Sequence, residues 1–314
     1  MRSPGKRDLI KICYLYYREG KTQGEISSHF GLSRFQVSRL LKKAREDGLV
    51  TVQINDPMGE VTEIEIELAK TFGLTQAIVE QTNEYVTRNP LEHLGEAGAQ
   101  YLSSVIKDCR ILGVAWGRSV YQIINSVAPM KTKGLIVVQI SGGLGSIGGT
   151  DSSVLTGLLG QRLGAAVHVL HAPAIVSDPS IKKTLLNEKN IHEGLALARK
   201  ADTALLGIGM VSENGLLQVE GLLDRETTRL IEGRKAVGAV CGRFFDINGK
   251  KCYEEMDERI IGLDFDDLRR IKNKICIAMG PKKVLGIIGA MRGKLINTLI
   301  TDESTARSIL EYSS

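Results

Sequence analysis

Apolar positions change their period along the chain. In the first fifty residues they recur three and four apart. Leu9, Ile12, Cys13 and Tyr16 make one helical face, Ile26 and Phe30 a shorter one, and Val37, Leu40, Leu41 and Ala44 a third. The punctuation between them fits three short helices. Gly20 is placed to end the first, and Thr22 is placed as an N-cap with Glu25 three residues on to complete a capping box. Gly31 can take the positive φ of a tight interhelical turn, and Ser33 caps the third helix. Asp47-Gly48 before LVTVQI predicts a turn into a short β-strand, the wing of a winged variant.

Asn55-Asp56-Pro57-Met58-Gly59 breaks the pattern, which predicts domains at 1–55 and 56–314. A helix follows with Val61, Ile64 and Leu68 on one face, able to pack on a symmetry mate or on the next domain. TQAIVEQ reads as a strand and residues 91–106 as a helix. From Arg110 onward, apolar runs such as RILGVA, GLIVVQI, DTALLGIG and KICIAMG alternate with helical stretches such as GRSVYQIINSV and SSVLTGLLGQRLG. AAVHVL is a short candidate strand and DESTARSILEY a closing helix. This alternation predicts a Rossmann-like α/β domain, a parallel sheet covered on both faces. Ligands of such sheets bind beyond the carboxyl ends of the strands.

Charge separates the two parts. The first 50 residues hold 11 Lys and Arg against 5 Asp and Glu; the other 264 hold 30 against 31. A basic head on a neutral body suits nucleic acid. Ser27, Gly31, Val37 and Leu40 have helix-turn-helix spacing, in which the second helix enters the major groove. Arg34, Gln36 and Arg39 are the expected base readers, with Ser38 on the same face and Phe35 suited to a thymine methyl. Gln23, Ser33, Lys42 and Lys43 are expected at phosphates.

The glycines gather where the strands should end: GVAWGRS, SGGLGSIGGTDSS, GIGM and AMGP. Such turns expose backbone N–H groups to an anion. Gly143, Gly145 and Gly148 spell G-x-G-x-x-G, but the following strand ends in Val169-Leu170-His171-Ala172 instead of the acidic residue a dinucleotide site wants. P-loop and G-x-S-x-G motifs are absent from the sequence. His168 and His171 have no partner motif for zinc and read as core or pocket wall. Five cysteines without a C-x-x-C pair predict reduced thiols. No apolar run reaches 18 residues and the N-terminus has no apolar leader, so a cytoplasmic protein without cofactor or metal is expected.

The blocks GVAWGRS, AVCGRFFDINGK, AMRGKLIN and TLITDESTA, behind a helix-turn-helix, resemble the SorC family of sugar-binding transcriptional regulators nearly end to end. The resemblance implies an effector domain similar to sugar-phosphate isomerases and deaminases, with sensing in place of catalysis. It implies a homo-oligomer, dimer or tetramer, that binds operator DNA and a phosphorylated sugar. It implies an effector site at Gly117, Arg118 and Ser119, bordered by Gly142, Gly143, Thr150 and Asp151. Asp246 would accept from sugar hydroxyls, and Arg292, or else Lys294, would hold the phosphate.

Two further classes compete with the regulator. An active isomerase or deaminase carrying a DNA-binding appendage would need a base, for which Glu220 and Asp246 are the candidates. A constitutive DNA-bridging protein would bind DNA without regard to any sugar phosphate.

Overall fold

The computed structural model describes residues 5–52, 61–81, 89–145, 149–212, 216–219 and 221–313. Its contacts separate two compact units, Met1–Pro57 and Met58–Ser314.

The first unit holds α1 (Lys6–Tyr17), α2 (Gln23–Phe30) and α3 (Arg34–Glu46). Leu9, Ile12, Cys13, Ile26, Val37, Leu41 and Ala44 close its core, with Leu40 half-buried against them. Local chemistry sets each boundary. The Thr22 amide donates to Glu25 Oε2 at 2.8 Å while the Glu25 amide donates to Thr22 Oγ1 at 3.3 Å, the reciprocal box that satisfies two orphan donors. α2 stops at Gly31, whose φ of +64° turns the chain toward α3. The strand expected over LVTVQI is not seen at Leu49–Val52. The amides of Leu49 and Val50 both donate to the Ala44 carbonyl, folding the segment back on the end of α3. Residues 53–54 of that stretch lie outside the described ones.

The second unit opens with α4 (Val61–Phe72), β1 (Gln76–Glu80), α5 (Pro90–Val105), β2 (Ile111–Val114) and α6 (Arg118–Ser126). It continues with β3 (Ile136–Gln139), α7 (Ser152–Leu163), β4 (Ala166–His168), α8 (Pro179–Asn187), α9 (Lys189–Ala198) and β5 (Thr203–Gly207). Then come α10 (Leu216–Val219), α11 (Arg225–Gly233), β6 (Gly238–Val240), β7 (Arg243–Phe245), α12 (Glu254–Asp257) and α13 (Phe265–Arg270). β8 (Asn273–Ile277), α14 (Val284–Arg292), β9 (Thr298–Asp302) and α15 (Glu303–Ser313) complete it.

Seven strands form one sheet in the order β1-β9-β8-β5-β2-β3-β4, every pair parallel. Successive side chains leave a strand on opposite faces. Leu205 and Ile275 therefore enter the core under α5, α6 and α7, while their neighbours Leu206 and Cys276 enter the one under α13 and α14. Burial on both faces explains why these strands read as unbroken apolar runs. α4 packs on β1 and α15 within its own unit.

From β2 the chain steps to β3 and β4 on one side, then returns to place β5, β8 and β9 on the other. The direction of winding thus reverses between β2 and β5, and a crevice opens at such a reversal beyond the carboxyl ends. Beside it stands a smaller layer that the apolar pattern did not announce. The antiparallel β6–β7 hairpin, α10, α11 and α12 enclose their own cluster of Leu217, Ile231, Ala239, Phe244, Met256 and Ile260 with Trp116.

Candidate functional site

In the first unit the candidate surface is the outer face of α3. Ser33 begins it as N-cap: its Oγ accepts from the Gln36 amide at 3.2 Å, and its own amide donates to Gln36 Oε1 at 2.8 Å. The Gln36 side chain is therefore folded back onto the helix start, half-buried, instead of extending toward a base. Arg34, though exposed, leans back over the first turn of α2: a β-carbon on Gly24 would lie 2.9 Å from its Nη2. Phe35, 76% exposed, projects freely, and Ser38, Arg39, Lys42 and Lys43 are exposed on the same helix. Lys42 pairs loosely with Glu46 at 3.7 Å, an exposed i,i+4 contact of small worth. Gln23, half-buried, opens α2. Helix, cap and cations make a face that can lie in a groove with its N-terminal half toward base edges.

In the second unit the cleft sits at the winding reversal. Its floor is Trp116–Ser119 after β2 and Gly207–Met210 after β5; its far wall is Ala239, Cys241, Gly242 and Phe244 of the hairpin, with Leu217 of α10. The space that the centre of a water molecule can reach inside is about 80 Å³. Gly117, at φ +134°, turns the chain into α6, and its amide donates to Thr150 O at 3.1 Å. That bond anchors the turn to the loop before α7. Arg118 and Ser119 occupy the first turn of α6, where unbonded N–H groups and the helix dipole favour an anion.

Lys283 completes the lining. It lies in the single 3-10 turn between β8 and α14. Burial depresses its pKa from the ordinary lysine value, and the neighbouring Arg118 charge adds to that shift. The Cys276 thiol is itself pushed up to about 12 by burial, so it supplies no negative charge at neutral pH. Neither Arg118 nor Lys283 has an acidic partner among the described residues. Two cations and a helix N-terminus converging on one apolar cleft call for an anionic ligand. Among the described residues no group of His, Cys, Asp and Glu is arranged to hold a metal ion.

Residues 56–311 match the domain family described as "Putative sugar-binding domain", and residues 15–53 match a helix-turn-helix domain. The chain is 32% identical to the deoxyribonucleoside regulator of Bacillus subtilis over 96% of both chains. It is 31% identical to the sorbitol operon regulator of Klebsiella pneumoniae over 97% of this chain and 98% of that one. The crystal structure of that full-length regulator, SorC, superposes with a TM-score of 0.76 over 97% of this chain. The chain belongs to the SorC family of sugar-binding transcriptional regulators.

Against that family's expected site, only part of the set grouped in the sequence meets in the cleft. Gly117, Arg118 and Ser119 line it. Gly143 and Asp151 border a separate concavity that also includes the exposed His171. Asp151 caps α7 there, accepting from the Leu144 amide at 2.6 Å and the Ser153 amide at 2.8 Å. Gly142 serves packing, since a β-carbon would fall 2.3 Å from Pro173 O. Thr150 meets the cleft only through its carbonyl bond to Gly117.

Asp246 is not among the cleft residues. Its Oδ1 accepts the amides of Asn248 and Lys250, both at 2.9 Å, and so closes the turn after β7. Arg292 and Lys294 line another hollow with Thr71 and Phe72. Arg292 ends the nine-residue helix that Lys283 precedes, which puts it roughly 13 Å along the axis from the cleft. The basic residue that reaches the cleft is Lys283, at the other end of that helix. Within the sequence its one signal was position, in the AMGPKK turn that closes a strand. Glu220 lies outside the described residues.

Proposed function

We propose that the chain is an operator-binding transcriptional regulator whose DNA affinity is set by a phosphorylated sugar bound in the β2–β5 cleft. The observation that carries the effector half is the convergence of Arg118 and Lys283 on the N-terminus of α6 without an acidic partner among the described residues. The phosphate sits against the α6 amides and Ser119, with Arg118 at the mouth and Lys283 deeper in. Arg39, with Phe35 and Ser38, reads base edges; Lys42, Lys43, Gln23 and Ser33 meet phosphates. The protein acts as a homo-oligomer, dimer or tetramer, because one small head makes too few contacts for a tight specific site. It works in the cytoplasm, where the operator is. The domain division at 55/56 separates DNA reading from sensing and assembly.

The site is a binding site and not a catalytic one. Isomerisation or deamination of a sugar phosphate needs a general base over the reacting carbons. No carboxylate or imidazole is among the described lining residues, and the Asp246 carboxylate is engaged in its turn.

A thermal-shift panel of sugar phosphates, each beside its unphosphorylated counterpart, tests this reading. A ligand that binds only the folded state raises the melting temperature by mass action. The expected result is a rise with at least one phosphorylated sugar, absent with the free sugar. In Lys283→Met, affinity should fall about thirtyfold, the loss of one charge-assisted bond of about 2 kcal/mol. A shift that persists undiminished in Lys283→Met and Arg118→Ala would contradict the assignment.

A further inference from the structure

Cations far apart in the sequence of the second unit gather on one face of it. In a parallel sheet every strand starts on the same side, so the loops leading into the strands share a face, opposite the cleft. Along five neighbouring strands that face is basic. Lys294 precedes β9, Lys272 β8, Lys200 β5 and Arg110 β2, and Lys131 and Lys133 precede β3. All six side chains are exposed, and none has a hydrogen bond or ion pair among the described residues. At about 4.8 Å per strand the row spans about 19 Å.

The acids that could neutralise this row are few or already engaged. Residues 127–135, 199–201, 271–272 and 293–297 contain none. Asp202 accepts the amides of Arg110 and Ile111 at 2.7 and 2.9 Å. Asp266 pairs with Arg269, and Asp267 with Arg199 and Arg270. Asp108 stands next to Lys107 in the sequence. Residues 51–314 hold 30 cations against 31 acids, so the row is a segregation of charge and not an excess of it. Helix dipoles favour a cation where a helix ends, which accounts for Lys200, Lys272 and Lys294. Arg110, Lys131 and Lys133 stand five or more residues past the last α-helix before them, beyond the reach of its dipole.

An extended row of free cations fits an extended polyanion. Duplex DNA carries one phosphate charge per about 1.7 Å of axis, so about eleven lie along the same length. The chain also brings DNA near: a duplex held by the helix-turn-helix stands at high effective concentration beside the body joined to it. We infer that the strand-entry face of the body is a second, sequence-independent DNA surface, at which Lys131, Lys133, Lys200 and Lys272 contact backbone phosphates. It adds affinity and salt dependence, while the head supplies base preference.

Anisotropy titrations of the full chain on a long mixed-sequence duplex, repeated across a range of KCl concentrations, test this. Two quadruple variants lose the same charge in different places. One carries Lys131→Gln, Lys133→Gln, Lys200→Gln and Lys272→Gln, in the row. The other carries Lys183→Gln, Lys189→Gln, Lys235→Gln and Lys282→Gln, at exposed lysines off it. Each phosphate contact contributes about 0.9 to the slope of log affinity against log salt. The row variant should lose at least about 2 from that slope and bind at least about tenfold more weakly at fixed salt, while the other stays within about twofold of wild type. If the row variant melts early, Lys131→Gln with Lys133→Gln alone carries the test, at about half that loss of slope. An unchanged slope in the row variant would mean that DNA does not touch this face. An equal loss in both variants would mean that only net charge matters, and either result overturns the inference.

Discussion

Gln36 and Arg39 share a helix and a polar character, but the fold gives them different work. Gln36 closes the α3 capping box with Ser33, while Arg39 is exposed with no side-chain partner among the described residues. Gln36→Ala should therefore cost the head about 0.3–1.5 kcal/mol of stability and leave base preference alone. Arg39→Ala should cost about 1–3 kcal/mol of operator binding and relax preference at one base pair, with effector affinity unchanged. Urea denaturation of the head and anisotropy titrations over an operator substitution series separate the two. A changed base preference in Gln36→Ala would show that its side chain leaves the cap to read DNA. The sequence showed the cap and the exposed face equally well. What it could not show is which role a residue qualified for both would take, because that depends on a 2.8 Å bond to the preceding turn.

At the scale of elements, the β6–β7 hairpin decides whether the cleft has a second wall. Its two-residue turn holds both Cys241 and Gly242 at positive φ, 50° and 79°. A β-carbon on Gly242 would touch the Trp116 ring at 3.4 Å. One side chain ties the hairpin to the body. Arg243 is 3% exposed, donates to the carbonyls of Leu263 and Gly262 at 3.0 and 3.1 Å, and pairs with the Asp257 carboxylate. Burial pushes the Asp257 carboxyl up, but Arg243 and Lys251 outweigh it and hold the group below its ordinary value. Arg243→Leu would leave one oxygen of that carboxylate, with Lys251 still on the other, and the Leu263 and Gly262 carbonyls without their donor, a loss of about 3–5 kcal/mol when one partner of a buried pair is removed. Chemical denaturation of the body should show this, along with loss of effector binding. A stability within 1 kcal/mol of wild type would mean the hairpin is held some other way.

This layer was also the least legible part of the sequence. The strands and helices of the sheet announce themselves by period, whereas β6, β7 and α10–α12 are three to nine residues long and owe their form to contacts with Trp116 and Ile260. Asp246 in FFDINGK, expected at sugar hydroxyls, instead accepts the amides of Asn248 and Lys250 within its own turn. Lys283 was illegible for a different reason. Its approach to Arg118 requires β8 to lie beyond β5 from β2, an ordering set by crossovers that no local pattern records.

At the scale of the whole molecule, a regulator needs its two sites to be coupled, and coupling is reciprocal. If effector changes operator affinity by some factor, operator must change effector affinity by the same factor. A ligand that binds two arrangements of the protein equally shifts nothing, however tightly it binds. Typical couplings of about 1–3 kcal/mol correspond to changes of about 5- to 150-fold, well within reach of titration.

The most direct test is therefore operator affinity of the full chain, measured at fixed salt with and without a saturating phosphorylated effector, beside the same pair of titrations on Lys283→Met. The expected result is at least a fivefold change in wild type, and a clearly smaller one in Lys283→Met at an effector concentration that only just saturates wild type. Equal operator affinities in wild type at saturation would contradict it, leaving a DNA-binding protein whose cleft ligand does not regulate it.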